Sequence, residues 1–186
     1  MARSAPRPLL LAAVLAAGAV LPLPASDGGL PTVEEALATA WPGAEVHRSV
    51  AFLTERQRDE AALLAGSAPS SRMVTRYRIE RDGATVGWAY LDTHRVRTLP
   101  ETLLVMLRPD GTVLRVEAVA FAEPRQYLPP RGWYAQMEGH TLDEELRLKR
   151  GVRPITGATL SARSAVEATR RVLALHRLLG DTEVRR

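Results

Sequence analysis

The sequence predicts an α+β domain: an antiparallel sheet of about four to six strands with packed helices. Three observations predict it. Asp82-Gly83 follows a stretch of period-two alternation, the mark of a two-residue hairpin turn. Pro109-Asp110-Gly111 separates two further strand-like runs in the same way. Near the C-terminus Ala162, Ala165, Ala168, Val172, Leu175 and Leu179 step by threes and fours, which is the spacing of one helix face.

At the N-terminus Arg3 and Arg7 precede the apolar run Leu9 to Leu21, and Pro24-Ala25-Ser26 offers small residues for cleavage. This layout predicts a secretory signal peptide over residues 1–25 and a periplasmic or otherwise exported protein. The run is shorter than the roughly 20 residues of a spanning helix and is interrupted by Pro22 and Pro24; retention as a membrane anchor is the alternative. Residues 26–186 then form one domain, with its core over about 73–180. The chain contains no cysteine, which excludes a disulfide, a thiolate metal site and lipid attachment through cysteine.

Thr32-Val33-Glu34-Glu35 has capping-box spacing and opens a short helix closed by Trp41-Pro42-Gly43; Thr54-Glu55-Arg56-Gln57 opens a second, through about Leu64. Val46 to Phe52 reads as a strand between them, and 66–71 as a connecting loop. Met73, Thr75, Tyr77 and Ile79 then face one way and Arg76, Arg78 and Glu80 the other. Val86, Trp88 and Tyr90 continue the pattern on the return strand. Thr102 to Leu107 is nearly all apolar, as a central strand is, and in Val113 to Phe121 the residues Leu114, Val116 and Ala118 oppose Arg115 and Glu117.

The last helix follows Thr156-Gly157-Ala158-Thr159-Leu160-Ser161 without a break. Small residues between hydroxyls let backbone approach a ligand. Ser161 or Ser164 can cap the helix, Ser164 with Glu167 has capping-box spacing, and Gly180 stands where it stops. Free amides and the positive dipole end then fall at Thr159 to Ser161, a place suited to a phosphate, although an ordinary N-cap has the same composition.

Thr156-Gly157-Ala158-Thr159, with Leu160-Ser161 and the helix, resembles the flavinylation motif of the FMN-binding domain family. Its members include the exported flavin-carrying subunits of Na⁺-translocating NADH:quinone reductase and of the Rnf complex. The family pattern is aspartate, two variable residues, Ser or Thr, Gly, Ala, Thr. The resemblance implies FMN as cofactor, joined through its phosphate to Thr159 by an exported flavin transferase, with Thr156, Gly157 and Ala158 forming the turn. Arg153 stands where the family has aspartate, with Pro154 and Ile155 as the variable pair. The middle of the chain is similar to the family more loosely, through its apolar strand, Asp-Gly turn and second strand. A tryptophan segment before the motif, Gly132-Trp133-Tyr134 here, is a further likeness. It suggests Trp133 as a wall for the flavin ring; a core aromatic is the other reading.

Other chemistry is poorly represented. His47, His94, His140 and His176 show no paired ligand spacing, so no metal site is expected. Asp143, Glu144 and Glu145 read as a solvated helix start, and Asp92-Thr93-His94-Arg95 as a polar loop after a strand. Arg76 with Arg78, and Arg170 with Arg171, read as solvated faces; no basic stripe interleaved with aromatics points to nucleic acid. There is no dinucleotide fingerprint and no P-loop.

The resulting expectation is an exported FMN-binding electron-transfer protein, a redox carrier rather than a stand-alone enzyme, with no catalytic residue of its own. Its implied partners are the flavin transferase and a membrane quinone or cytochrome system. Two alternatives stay open: a flavin-free exported binding or interaction module of the same fold, and a small exported flavin-dependent reductase.

Overall fold

A computed structural model describes residues 29–180; the expected signal peptide lies outside the described residues. Both capping boxes form. Thr32 Oγ1 accepts from the Glu35 amide at 3.1 Å while Glu35 Oε2 accepts from the Thr32 amide at 2.8 Å, opening α1 (Val33–Ala40). Thr54 and Gln57 repeat the exchange and open α2 (Glu55–Ala65), which ends at Gly66 in the left-handed conformation.

Five strands, β1 (Glu45–Phe52), β2 (Met73–Arg81), β3 (Ala84–Arg95), β4 (Pro100–Leu107) and β5 (Val113–Phe121), pair antiparallel in the order β1-β2-β3-β4-β5. The fold is thus α+β. Asp82 and Gly83 both have positive φ, 52° and 74°, as the two-residue hairpin between β2 and β3 requires.

Each sheet face carries its own apolar layer. Tyr77, Ile79, Ala89, Leu104 and Met106 meet Ala36, Leu37 and Trp41 of α1 and its cap on one side. Trp88, Tyr90, Leu103, Val105, Leu107, Val116 and Ala118 meet α2 and α4 (Thr159–Leu179) on the other. Gly87 leaves room for Trp41 on the α1 side: a Cβ there would stand 2.4 Å from Trp41 Cζ2 and 3.0 Å from the Leu107 carbonyl oxygen.

Two register shifts alter the predicted facing. Ile79 pairs with Gly87 but Glu80 with Thr85, so Val86 is the extra residue of a bulge and packs on the α1 side, opposite Trp88 and Tyr90. Met106 pairs with Arg115 but Leu107 with Val113, which turns Leu114 to the α1 side, away from Val116 and Ala118. Alternation counted from sequence cannot locate such an insertion.

The apolar face of α4 is the predicted one: Ala162, Ala165, Ala168, Val172, Leu175 and Leu179 are all buried, and Gly180 ends the helix. Its start differs. Helix begins at Thr159 with Ala158 as the cap residue and no side-chain cap bond, so Ser161 and Ser164 lie inside the helix rather than capping it. Asp143, Glu144 and Glu145 start no helix. Asp143 instead accepts from the amides of Glu145 and Leu146 and caps a turn, while Glu144 pairs with Arg147 and Arg150.

The arginines expected on solvated faces are the larger correction. Arg76, Arg170 and Arg171 are each no more than 4 % exposed. Arg76 lies over the Trp88 ring and donates to the Gly180 carbonyl, and Arg170 donates to the carbonyls of Ala65, Asp143 and Leu146. A long stem with five donors at its tip can satisfy buried carbonyls from a helix side that composition marks as polar. No helix among the described residues is long and apolar enough to cross a membrane.

Candidate functional site

The motif leads into α4 as a loop whose backbone is held from behind. Trp133 Nε1 donates to the Arg153 carbonyl at 2.8 Å and the Arg153 amide donates to Gln136 Oε1 at 3.0 Å. What the fold grips at position 153 is therefore main chain, and the side chain points away from the core, exposed. Trp133 is buried, edge-on to Tyr134, and contributes to the α4-side core. It anchors the loop, and it is not among the residues that line the groove beside Thr159.

Gly157 has φ 84°, a conformation that side chains other than glycine rarely adopt, and a Cβ there would meet nothing. The turn thus needs glycine for its dihedral and not for room. Thr156, Gly157, Thr159 and Leu160 are exposed, whereas Ala158 and Ser161 are buried. Thr159 Oγ1 donates to the Ile155 carbonyl at 3.1 Å, which orients the hydroxyl and leaves its lone pairs outward. Thr159, Leu160 and Ser161 supply the first three amides of a 21-residue helix.

A groove of about 450 Å³ runs from Thr159 along one stripe of α4, Arg163, Val166, Glu167 and Arg170, and is closed by Ala65, Gly66, Pro154 and the 147–149 turn. Lys149 in that turn has φ 66°. Four cations, Arg147, Lys149, Arg163 and Arg170, line the groove against one carboxylate, Glu167. Arg147 is neutralised by Glu144, with two bonds of 3.0 Å. Among the described residues no carboxylate lies within ion-pair distance of the other three. Burial first, then the neighbouring Arg147, lowers the Arg170 pKa from its ordinary value.

A second concentration of charge lies inside the α4-side core, at the opposite ends of β3 and β4 from the β2–β3 hairpin. Arg171 donates through two nitrogens to Asp92, Asp92 Oδ1 lies 2.9 Å from His94 Nδ1, His94 Nε2 lies 3.2 Å from Glu101 Oε2, and the Tyr134 hydroxyl donates to Glu101 Oε1. Asp92 and His94 sit within β3, not in a loop. Burial disfavours the His94 cation, but hydrogen bonds to Asp92 and Glu101 outweigh it and raise its pKa to about 9. Burial likewise disfavours the Asp92 carboxylate, yet the bonds from His94 and Arg171 hold it below its usual value. Burial raises the Tyr134 pKa, with Glu101 adding to the effect. Two cations face two carboxylates with all atoms engaged, so the chain is a neutral structural network.

Glu45, His47 and Glu80 bring possible ligand atoms within 4.8 Å of one another at the exposed β1–β2 edge. The i, i+2 pair Glu45 and His47 is visible in sequence; Glu80 joins through the strand register, which pairs it with Glu45 across 35 residues. His47 Nε2 stands 3.0 Å from Glu80 and Arg78 Nε 3.2 Å from the same carboxylate, an arrangement complete as a surface ion pair.

A second cavity, of about 560 Å³, lies at the β5 edge between Leu30, Leu128, Pro130 and the buried Glu117, which pairs with Arg115 and Arg131. Sequence gave no signal for it, because its walls come from four separate segments. Compared with family models, with curated proteins and with solved structures, the chain matches none.

Proposed function

We propose that this chain is an exported FMN-binding electron-transfer protein whose flavin is attached through its phosphate to Thr159. The observation that carries the reading is the position of Thr159: an exposed hydroxyl on the first turn of a long buried helix, at the end of a groove lined by cations. The donor set suits the group. A phosphate needs cations and free amides, and the groove is within the size range of cofactor pockets.

Attachment forms one bond, Thr159 Oγ to phosphorus. An activated flavin phosphoanhydride supplies the phosphorus, its leaving group departs with the bonding pair, and the hydroxyl loses its proton. The Ile155 carbonyl, which already accepts from that hydroxyl, fixes the direction in which Oγ presents its lone pairs. Trp133 holds the approach loop by its carbonyl at Arg153. Bound FMN supplies the electron chemistry, and the protein supplies attachment, orientation and exposure.

The test is intact mass with peptide mapping after co-expression with a flavin transferase. Wild type and Thr156→Ser should carry flavin that survives denaturation, and Thr159→Ala should carry none. FMN mass on a Thr159→Ala peptide overturns the assignment, and an absorbance spectrum free of flavin from protein taken from its own export compartment overturns the function.

A further inference from the structure

We propose that the groove beside Thr159 is a phosphate-monoester site in its own right, built by Lys149, Arg163 and Arg170, and that it selects FMN over riboflavin and retains it without the ester bond. The inference rests on the flavin reading above but draws on different residues.

Its starting point is Arg170. The side chain is 4 % exposed, and its guanidinium is bonded to the carbonyls of Ala65, Asp143 and Leu146. Those carbonyls satisfy hydrogen bonds and cannot cancel a charge. Buried cations ordinarily have a carboxylate partner, as Arg171 has Asp92. Arg170 has none within ion-pair distance and lines the groove, so its field is directed where an anion would sit.

Lys149 and Arg163 reinforce that field from the rim. Both are exposed, and neither is paired with a carboxylate among the described residues. Arg163 stands one turn after Thr159 on the same stripe of α4, and the left-handed backbone at Lys149 turns the 147–149 segment over the groove. Glu144 is engaged by Arg147 and Arg150, and with Asp143 it acts on Arg170 only from beyond ion-pair distance, so Lys149, Arg163 and Arg170 face the groove against Glu167 alone and its lining carries an excess of positive charge. That matches the dianion of a phosphate monoester. The neutral hydroxyl of riboflavin leaves the same excess uncompensated.

Arg153, exposed and next to Pro154 of the groove wall, adds its charge to the same attracting field.

The experiment measures flavin fluorescence quenching on the purified full chain, with FMN, riboflavin and inorganic phosphate as probes. Thr159→Val is included so that no ester can form. FMN should still bind Thr159→Val saturably and reversibly, riboflavin should bind the same variant at least ~10-fold more weakly, and inorganic phosphate should compete with FMN. Arg163→Gln and Lys149→Gln, both on the surface, should each raise the FMN Kd roughly tenfold, the loss expected for one charge-assisted contact, with a shallower dependence on ionic strength. Equal affinity for FMN and riboflavin, or FMN binding indifferent to both substitutions, overturns this proposal and leaves the flavin reading standing. Saturable phosphate binding in titration calorimetry, with no FMN binding, keeps the anion site and removes the flavin reading. No saturable binding of any of the three overturns the site.

Discussion

Arg171 grips Asp92 through both edges of the fork, Nε to Oδ2 at 2.9 Å and Nη2 to Oδ1 at 2.7 Å, with neither residue more than 8 % exposed. The pair joins α4 to β3 inside an otherwise apolar layer and carries the His94 and Glu101 chain with it. Breaking one side leaves a buried charge without its partner, which costs about 3–5 kcal/mol. Arg171→Ala and Asp92→Ala should each lower the unfolding free energy obtained from urea titration by that amount. The double substitution Arg171→Ala/Asp92→Ala should lose clearly less than the two single losses added. Full additivity would show that the two side chains do not act as a pair.

The same chain predicts a pH dependence with a definite sign. His94 has a folded pKa near 9, above its ordinary 6.5, so the stability it contributes is fully present below about pH 6.5 and is lost as pH rises through 9. The groups around it are Asp92 on its own strand, Glu101 on β4, Tyr134 on α3 (Arg131–Tyr134) and, through Asp92, Arg171 on α4. Unfolding free energy should fall by something on the order of 3 kcal/mol across that window. His94→Gln should flatten the alkaline slope. Asp92, held low, acts oppositely: its contribution is present above about pH 4 and disappears on further acidification. An alkaline limb unchanged in His94→Gln would assign the slope to other groups.

Arg170→Ala tests the correction made to its facing. On a solvated face the change would be nearly silent. With the Ala65 carbonyl at the end of α2 and the Asp143 and Leu146 carbonyls of one turn relying on it, the loss should reach roughly 2–4 kcal/mol, and amide exchange should rise first in the 143–147 turn. Val172→Pro, in the buried middle of α4, should be harsher still, since it removes an interior backbone bond and costs about 3 kcal/mol or more before packing is counted.

Gly87→Ala is predicted to destabilise by about 1–3 kcal/mol, because the added methyl overlaps the Trp41 indole and one ring must move. Trp41→Leu in the same background should recover part of the loss. Near-UV circular dichroism and thermal midpoints measure both effects. Tolerance of alanine at 87 with the Trp41 signal unchanged would mean that α1 does not seat against β3 as described.

Local signals were enough for much of this architecture. The two capping boxes, the Asp82-Gly83 turn and the three-four stepping of α4 are each decided by residues within one or two turns of chain, and each formed where those residues stand. The start of α4 was less legible: it opens at Thr159 with no side-chain cap, ahead of the Ser161 and Ser164 that composition offers as caps. What tertiary structure alone decided depends on pairing across long separations. Two bulges reversed the facing of Val86 and Leu114, because an inserted residue is set by the partner strand. Arg76, Arg170 and Arg171 became interior because carbonyls and a carboxylate from segments 24 to 105 residues away arrived at their tips. The charge excess of the groove belongs to the same class. It exists because Lys149 and the buried Arg170 meet beside Thr159, and a net charge read along the chain carries no information about which cations end without a counter-ion.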